Sequence, residues 1–214
     1  MKSGFLAAVA ACSLMLAAPA MAQGVKIGIL NDQSGVYADY GGKYSVEAAR
    51  MAIEDFGGEV LGQKIEMITA DHQNKPDLAT SIARRWYDAD GVDMITELTT
   101  SSVALAVQEL SKEKKKVDIV VGAATSAITG AACTPYGFHW AYDTHALAVG
   151  TGGALVSQGG DSWYFLTADY AFGMALQRDA ANVVKETGGK VLGDVRHPLN
   201  SSDFSSFLLQ AQAS

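Results

Sequence analysis

Cysteine is close to absent. Cys12 and Cys133 are the only two in 214 residues, and Cys12 falls inside an N-terminal segment that reads as a removable leader. A single remaining thiol cannot close an intrachain disulfide. Cys133 is expected as a small buried residue, or as the partner of a cysteine outside this sequence. Basic side chains are also scarce: Lys and Arg number 16 against 23 Asp and Glu, a net charge of −7. That balance argues against nucleic acid as a partner, because phosphate backbones call for Lys and Arg patches. The one basic run, Lys112-Glu113-Lys114-Lys115-Lys116, stands where a helix should end, and cations there complement the helix dipole.

Catalytic signatures are missing as well. The sequence has no GxSxG elbow and no GxxxxGK[ST] phosphate loop. Gly150-Thr151-Gly152-Gly153 lacks dinucleotide spacing and sits inside a helical pattern, where close helix packing accounts for it. His72, His139, His145 and His197 show no metal-ligand spacing, and no spacing brings two carboxylates together. The expectation is a protein that is not an enzyme and needs no cofactor or metal. Beyond Ala22 no apolar run reaches the roughly 20 residues that span a bilayer.

The first residues are distinctive. Lys2 supplies a positive start, Phe5 to Leu16 is almost wholly apolar, and Ala20-Met21-Ala22 is a small-x-small cleavage pattern. Residues 1–22 therefore read as a secretory signal peptide, and export to a bacterial periplasm is expected. Val9-Ala10-Ala11-Cys12 faintly resembles a lipoprotein box, but it would leave almost no apolar segment ahead of the cysteine.

After the leader, apolar strands and helical patterns alternate. Val25 to Leu30 reads as a strand buried on both faces. Tyr44 to Phe56 carries apolar residues at helical spacing, and Gly57-Gly58 ends it. Further strands are expected at Lys64–Ala70, Val92–Thr96 and Val117–Gly122. Helices are expected at Pro76–Asp90 and Ser102–Lys112. The pattern resumes with helix His145–Gln158, strand Trp163–Thr167, helix Phe172–Thr187, strand Lys190–Arg196 and a helix over Asp203–Ala213, for which Ser201, Ser202 or Asp203 is a cap. Successive β-α-β units imply parallel sheets with helices on both faces. The fold class is α/β, with two doubly wound lobes: residues 23–140 form the first and 141–214 begin a second. The boundary falls near Gly137 to Thr144, after the turn formers Pro135 and Gly137. A second sheet of two strands has little core to bury, so the native chain is expected to continue beyond Ser214.

In open parallel sheets, ligands sit beyond the carboxyl ends of the strands. Here those places hold Asn31-Asp32-Gln33-Ser34-Gly35, Thr99-Thr100-Ser101-Ser102 and Gly122-Ala123-Ala124-Thr125-Ser126. The same residue types also serve as helix caps and turns. None of Thr99–Ser102 or Ala123–Ser126 is Lys or Arg, which points away from phosphates and dicarboxylates. Amides and hydroxyls at a helix N-terminus suit a single carboxylate. Tyr37, Tyr40, Tyr170 and Phe172 lie beside these loops and offer walls for an organic ligand.

Val25-Lys26-Ile27-Gly28-Ile29-Leu30, Ser34-Gly35, Tyr40-Gly41, Glu47-Ala48-Ala49 and Phe56-Gly57-Gly58 together resemble the opening of the branched-chain amino-acid-binding proteins, type I periplasmic binding proteins of ABC importers. Asp71-His72-Gln73-Asn74-Lys75-Pro76 and Thr167-Ala168-Asp169-Tyr170-Ala171-Phe172-Gly173 extend the resemblance over the rest of the chain. It implies two lobes closing on a small ligand, and membrane permease subunits as partners. It also implies site residues: Thr100, Ser101 and Ser102 for the carboxylate, Ala123 and Thr125 for further contacts, and Tyr40, Tyr170 and Phe172 as walls. The cysteine pair that joins two loops in the amino-acid binders is replaced here by Gln73 and Thr99. The stretch His139-Trp140-Ala141-Tyr142-Asp143 is similar to relatives that bind aromatic carboxylates. The ligand expected is thus a branched-chain amino acid or an aromatic acid. Two alternatives stand beside this reading. A ligand-sensing receptor module of the same fold would carry a membrane helix or kinase domain in further sequence. A secreted α/β hydrolase would need the nucleophile elbow that is absent.

The leader makes the first prediction. Protein recovered from a bacterial periplasm should begin at Gln23. Edman sequencing that returned Met1, or a lipid on Cys12, would overturn the cleavage reading.

Overall fold

The computed structural model describes residues 24–214, so the leader at 1–22 lies outside the described residues. Lys26–Asn31 forms β1, whose last four residues are all buried, as a strand covered on both faces requires. A short turn of helix, α1 (Ala38–Gly41), leads into α2 (Lys43–Asp55). The hairpin β2 (Glu59–Val60) and β3 (Gln63–Lys64) follows, a feature the sequence reading merged into a loop and the start of the next strand. Next come β4 (Glu66–Asp71), α3 (Pro76–Asp88), β5 (Met94–Glu97), α4 (Ser101–Lys114) and β6 (Val117–Val120). Helix α3 begins at its proline, where the missing N–H costs nothing. Helix α4 closes with Lys115 in the left-handed conformation and with Lys112 and Lys114 in its last turn.

The segment expected as a boundary turn is instead a strand. Gly137–His139, β7, pairs in parallel with β6, Asp118 opposite Gly137. Pro135 and Gly137 disguised it, since both are turn formers and the strand is three residues long. The first sheet then has the order β4-β1-β5-β6-β7, parallel at every pairing. From β1 the chain steps one way to β4 and then returns past β1 to β5 and β6. The order therefore reverses between β1 and β5, and the loops after these two strands part to leave a crevice.

One face of this sheet carries most of the core. Ala79, Ala83, Trp86 and Tyr87 of α3 and Val103, Ala104, Val107 and Leu110 of α4 pack on Leu30, Ile95, Leu98 and Val120. Their spacing is the stripe of an amphipathic helix on a sheet. Helix α2 contributes nothing to this core: it buries no residue fully and leaves Tyr44, Met51 and Phe56 exposed.

The second half continues with α5 (Thr144–Leu147), a π-helical stretch Ala148–Gly153 and α6 (Ala154–Ser157), which together form the helix expected over 145–158. Then come β8 (Ser162–Ala168), α7 (Ala171–Glu186), β9 (Lys190–His197) and α8 (Ser205–Gln212). Strands β8 and β9 form a parallel two-stranded sheet, with a small core of Ala148, Ala180, Val183 and Phe165. An apolar groove of about 510 Å³ runs beside it, lined by Trp163, Phe165, Leu147 and Leu176 among others. At the start of α8 the N-cap position falls on Phe204 and no side chain caps the helix. Of the three candidates expected from sequence, none takes the role, and Asp203 accepts the Ser205 amide at 2.9 Å as a turn just ahead of it. Cys133 is exposed, contrary to its expected burial: it lies in the loop between β6 and β7, outside the packed faces.

Asp118 on β6 is fully buried, and neither carboxylate oxygen has a hydrogen-bond partner. Burial pushes it up to about 7, and the nearby Ser111 hydroxyl, itself paired with Tyr87 at 3.0 Å, offsets only part of that. A carboxyl with a raised folded pKa contributes stability in its protonated form. That stability is complete below the unfolded value of about 4 and is lost at about 1.4 kcal/mol per pH unit up to about 7. Asp118→Asn should therefore melt above the wild type at pH 8 and show a much smaller gain at pH 4.5. Thermal melts at the two pH values check this, and an equal effect at both would contradict a buried neutral carboxyl.

Candidate functional site

Three loops converge at the carboxyl ends of β1, β5 and β6. The first is shaped by two buried polar residues. Asn31 donates from Nδ2 to the carbonyls of Gly41 and Gly42 at 2.5 and 2.7 Å. Asp32 accepts the amides of Gly35 and Tyr37 at 2.7 and 2.9 Å. Both are fully buried, and together they hold the segment that carries Tyr37 and Tyr40.

The second loop leaves β5 through two successive left-handed residues, Glu97 at φ 86° and Leu98 at φ 53°. Neither is glycine, so the turn is held in a sparsely populated region by its surroundings. Leu98 donates its amide to Leu30 and Glu97 accepts from Val121, at 3.0 and 3.1 Å. The turn delivers Thr99, which fills the point where the loops meet. Its Oγ1 accepts the Asp32 amide at 3.2 Å. A Cβ on Gly41 would lie 2.6 Å from Thr99 Cγ2, and one on Gly122 would lie 2.8 Å from Thr99 Cα. Thr100 is the N-cap of α4, but its hydroxyl does not cap the helix. It donates instead to Asn74 Oδ1 at 2.8 Å, so the first-turn amides of α4 have no side-chain cap and are open to an anion.

The third loop is tied to the second. Ser101 Oγ accepts the Thr125 amide at 3.2 Å, which leaves the Ser101 proton free to donate. His139 Nε2 donates to the Ala123 carbonyl at 2.7 Å and steadies the turn after β6. The second half contributes Tyr170, the residue before α7, and Phe172 in its first turn. The hydroxyls of Tyr170 and Tyr37 meet at 2.5 Å across the opening.

These residues enclose a cavity of about 170 Å³, below the roughly 300–1,000 Å³ of drug-sized sites. Its lining consists of Tyr37, Tyr40, Tyr142, Tyr170 and Phe172 together with Thr99, Thr100, Ser101, Gly122, Ala123 and Ala124. None of these carries a charge. Burial, with the Tyr142 hydroxyl and the Glu97 carboxylate nearby, pushes Tyr40 up to about 12. Burial and the Tyr37 hydroxyl push Tyr170 well above the ordinary tyrosine value. Both rings therefore stay neutral donors at any physiological pH. Among the described residues no three His, Cys, Asp or Glu side chains gather as metal ligands.

The periplasmic binding protein family model matches residues 24–214. This chain belongs to the periplasmic binding protein family. A crystal structure of a periplasmic binding protein from Burkholderia mallei superposes with a TM-score of 0.86 at 58% identity, over 88% of this chain and 50% of that one. A solute-binding protein of an ABC transporter from Rhodopseudomonas palustris, solved with 3,4-dihydroxybenzoic acid, gives a TM-score of 0.78 at 28% identity, over 88% of this chain and 51% of that one. Among curated proteins, Leu/Ile/Val-binding protein homolog 4 of Brucella abortus is 28% identical over 96% of this chain and 52% of its own. The chain spans about half the length of the curated relatives it matches.

For a periplasmic binding protein the cavity lies where its fold puts the crevice, between the first sheet and the start of the second. Six of the eight residues named from sequence line it: Tyr40, Thr100, Ser101, Ala123, Tyr170 and Phe172. Ser102 and Thr125 do not. Thr125 is buried with its hydroxyl accepting the Ala127 amide at 3.3 Å, and Ser102 follows one position into α4. Five more residues line the cavity: Tyr37, offered from sequence as a wall; Thr99, Gly122 and Ala124, which stand in the named loops without an assigned contact; and Tyr142. Tyr142 stands in the stretch read as a boundary and as similar to binders of aromatic carboxylates, with no contact assigned to the residue itself. The loops that carry Gln73 and Thr99, the cysteine positions of the amino-acid binders, are joined here by the Thr100–Asn74 hydrogen bond.

The wedge at Thr99 yields a pair of contrasting variants. Gly41→Ala should cost about 1–3 kcal/mol through overpacking and be largely relieved by adding Thr99→Ala, which removes the clashing methyl. Gly122→Ala meets the backbone of Thr99, so the same second substitution should not relieve it. Urea unfolding of the four variants checks the asymmetry, and equal relief in both would show that the loops shift freely.

Proposed function

We propose that this protein is the solute-capturing component of an ABC importer in a bacterial periplasm, and that its cleft holds a small organic monocarboxylate with an apolar or aromatic body. One observation carries the reading. The open N-terminus of α4, with the Ser101 hydroxyl beside it, faces a chargeless cavity walled by four tyrosines and Phe172. A carboxylate gains from the helix dipole and free amides there. A phosphate or dicarboxylate would lack the arginine it ordinarily recruits. In this reading Thr100, Ser101 and Ala123 face the carboxylate end, and Tyr40, Tyr142, Tyr170 and Phe172 cover the remainder. Membrane permease subunits are the partners. Branched-chain amino acids and benzoate-like acids are the two candidate sets, and relatives bear names from both: Leu/Ile/Val-binding for the Brucella abortus homologue, and a dihydroxybenzoic acid complex for the Rhodopseudomonas palustris protein.

Thermal-shift measurements with L-leucine, L-valine, benzoate and 4-hydroxybenzoate test it, because a ligand that binds only the folded state raises Tm. At least one acid should stabilise the protein. Stabilisation by glucose or inorganic phosphate, with none from any acid, would sink the proposal. Where an acid binds, Ser101→Ala should weaken it by about 1.5–3 kcal/mol, the range for a hydrogen bond to a charged group.

A further inference from the structure

Helix α7 buries Ala175, Asp179, Ala180, Val183 and Val184. A carboxylate in an apolar stripe is the informative exception, since charged groups are buried only when paired. Asp179 is 8% exposed, and its oxygens are fully engaged. Oδ2 accepts the hydroxyls of Ser126 and Thr144 at 2.7 and 2.6 Å. Oδ1 accepts Nε and Nη2 of Arg178 at 3.0 and 2.9 Å. The hydroxyls are completed in turn: Thr144 Oγ1 accepts the Ser126 amide at 3.0 Å, and Ser126 Oγ accepts Arg178 Nη2 at 3.1 Å. The Thr144 amide also donates to the Ala124 carbonyl at 2.8 Å. Burial alone would raise the pKa of Asp179, but the Thr144, Ser126 and Arg178 contacts outweigh it and hold the carboxyl below its ordinary range. The group is ionised and can only accept, so each donor assignment is fixed by chemistry.

The partners come from both sides of the cleft. Ser126 belongs to the loop after β6, directly beyond Ala123 and Ala124 of the cavity wall. Thr144 opens the chain's passage into the second half, and Asp179 sits two turns along the helix whose start carries Tyr170 and Phe172. We propose that Asp179 is the positioning residue that anchors the second lobe to the cavity loop of the first, through Ser126 and Thr144. Opening of the cleft then separates Tyr37 from Tyr170 at the mouth while the Asp179 cluster stays intact as the pivot. This rests on reading the cavity as a ligand site only for its effect on affinity. The anchoring itself is independent of any ligand.

The test measures both. In a Cys133→Ser background, nitroxides at Glu109→Cys on α4 and Lys185→Cys on α7 report the interlobe distance without ligand. The parent should give one narrow distribution, and Ser126→Ala and Thr144→Val should each broaden it. Ser126→Ala removes a single oxygen, so it remains informative if Thr144→Val fails to fold. Unchanged distributions in the folded variants would overturn the anchor. For whichever of benzoate or L-leucine the parent binds, Ser126→Ala should raise Kd about tenfold, and adding Asp179→Ala should deepen the loss little, because both break one cluster. Fully additive losses would also overturn it. If neither probe binds the parent, the proposed ligand class fails, and the distance measurement still decides the anchor.

Discussion

Thr99 occupies the one position that all three cleft loops share. Its side chain takes the Asp32 amide from the first loop, lies against Gly41 of the same loop, and turns its backbone toward Gly122 of the third. A residue can stand there only because β5 ends in the left-handed pair Glu97 and Leu98, which bends the chain out of the sheet and into the crevice. The strain of that turn is offset by the amide bonds to β1 and from the third loop and by full burial of Leu98. The cavity is thus a consequence of how closely three strand ends can approach, and glycine on either side of Thr99 sets that limit.

The polar groups of the cavity are oriented by bonds made behind it. Thr100 commits its proton to Asn74, Ser101 is held by the Thr125 amide, and Ala123 by His139. The outcome is a pocket lined by uncharged residues, the Ser101 hydroxyl among them, and by aromatic rings.

The same economy appears at the junction between the two halves. Contacts cross it in two places: a tyrosine pair at the mouth, and the bonds of Ser126 to Asp179 and Arg178 with that of the Thr144 amide to Ala124. The first pairs two neutral hydroxyls at a solvent edge. The second pairs an ionised, buried carboxylate whose loss would leave two hydroxyls without acceptors.

Periodicity in the sequence was sufficient for the alternation of strands and helices, because apolar residues at spacings of two and of three to four are a direct imprint of burial. Residue type, rather than periodicity, marked the loops that line the cavity, since hydroxyls and small residues gather where strand ends meet helix starts. It could not separate Ser101 from Ser102 or Ala123 from Thr125. Neighbouring residues at a helix start or in a turn point in different directions, and only the packed loop decides which one faces the crevice. Strand β7 stayed hidden, as its three residues carry turn formers and their pairing partner β6 is distant in the chain. Tyr37, Tyr142 and Asp179 acquire roles only through neighbours far away in sequence: Tyr37 meets Tyr170, and Asp179 meets Ser126 and Thr144. Local pattern determines which segments are buried and where their ends lie. The tertiary structure decides which side chains those ends bring together, because such contacts join residues separated by dozens of positions, and no spacing along the chain records them.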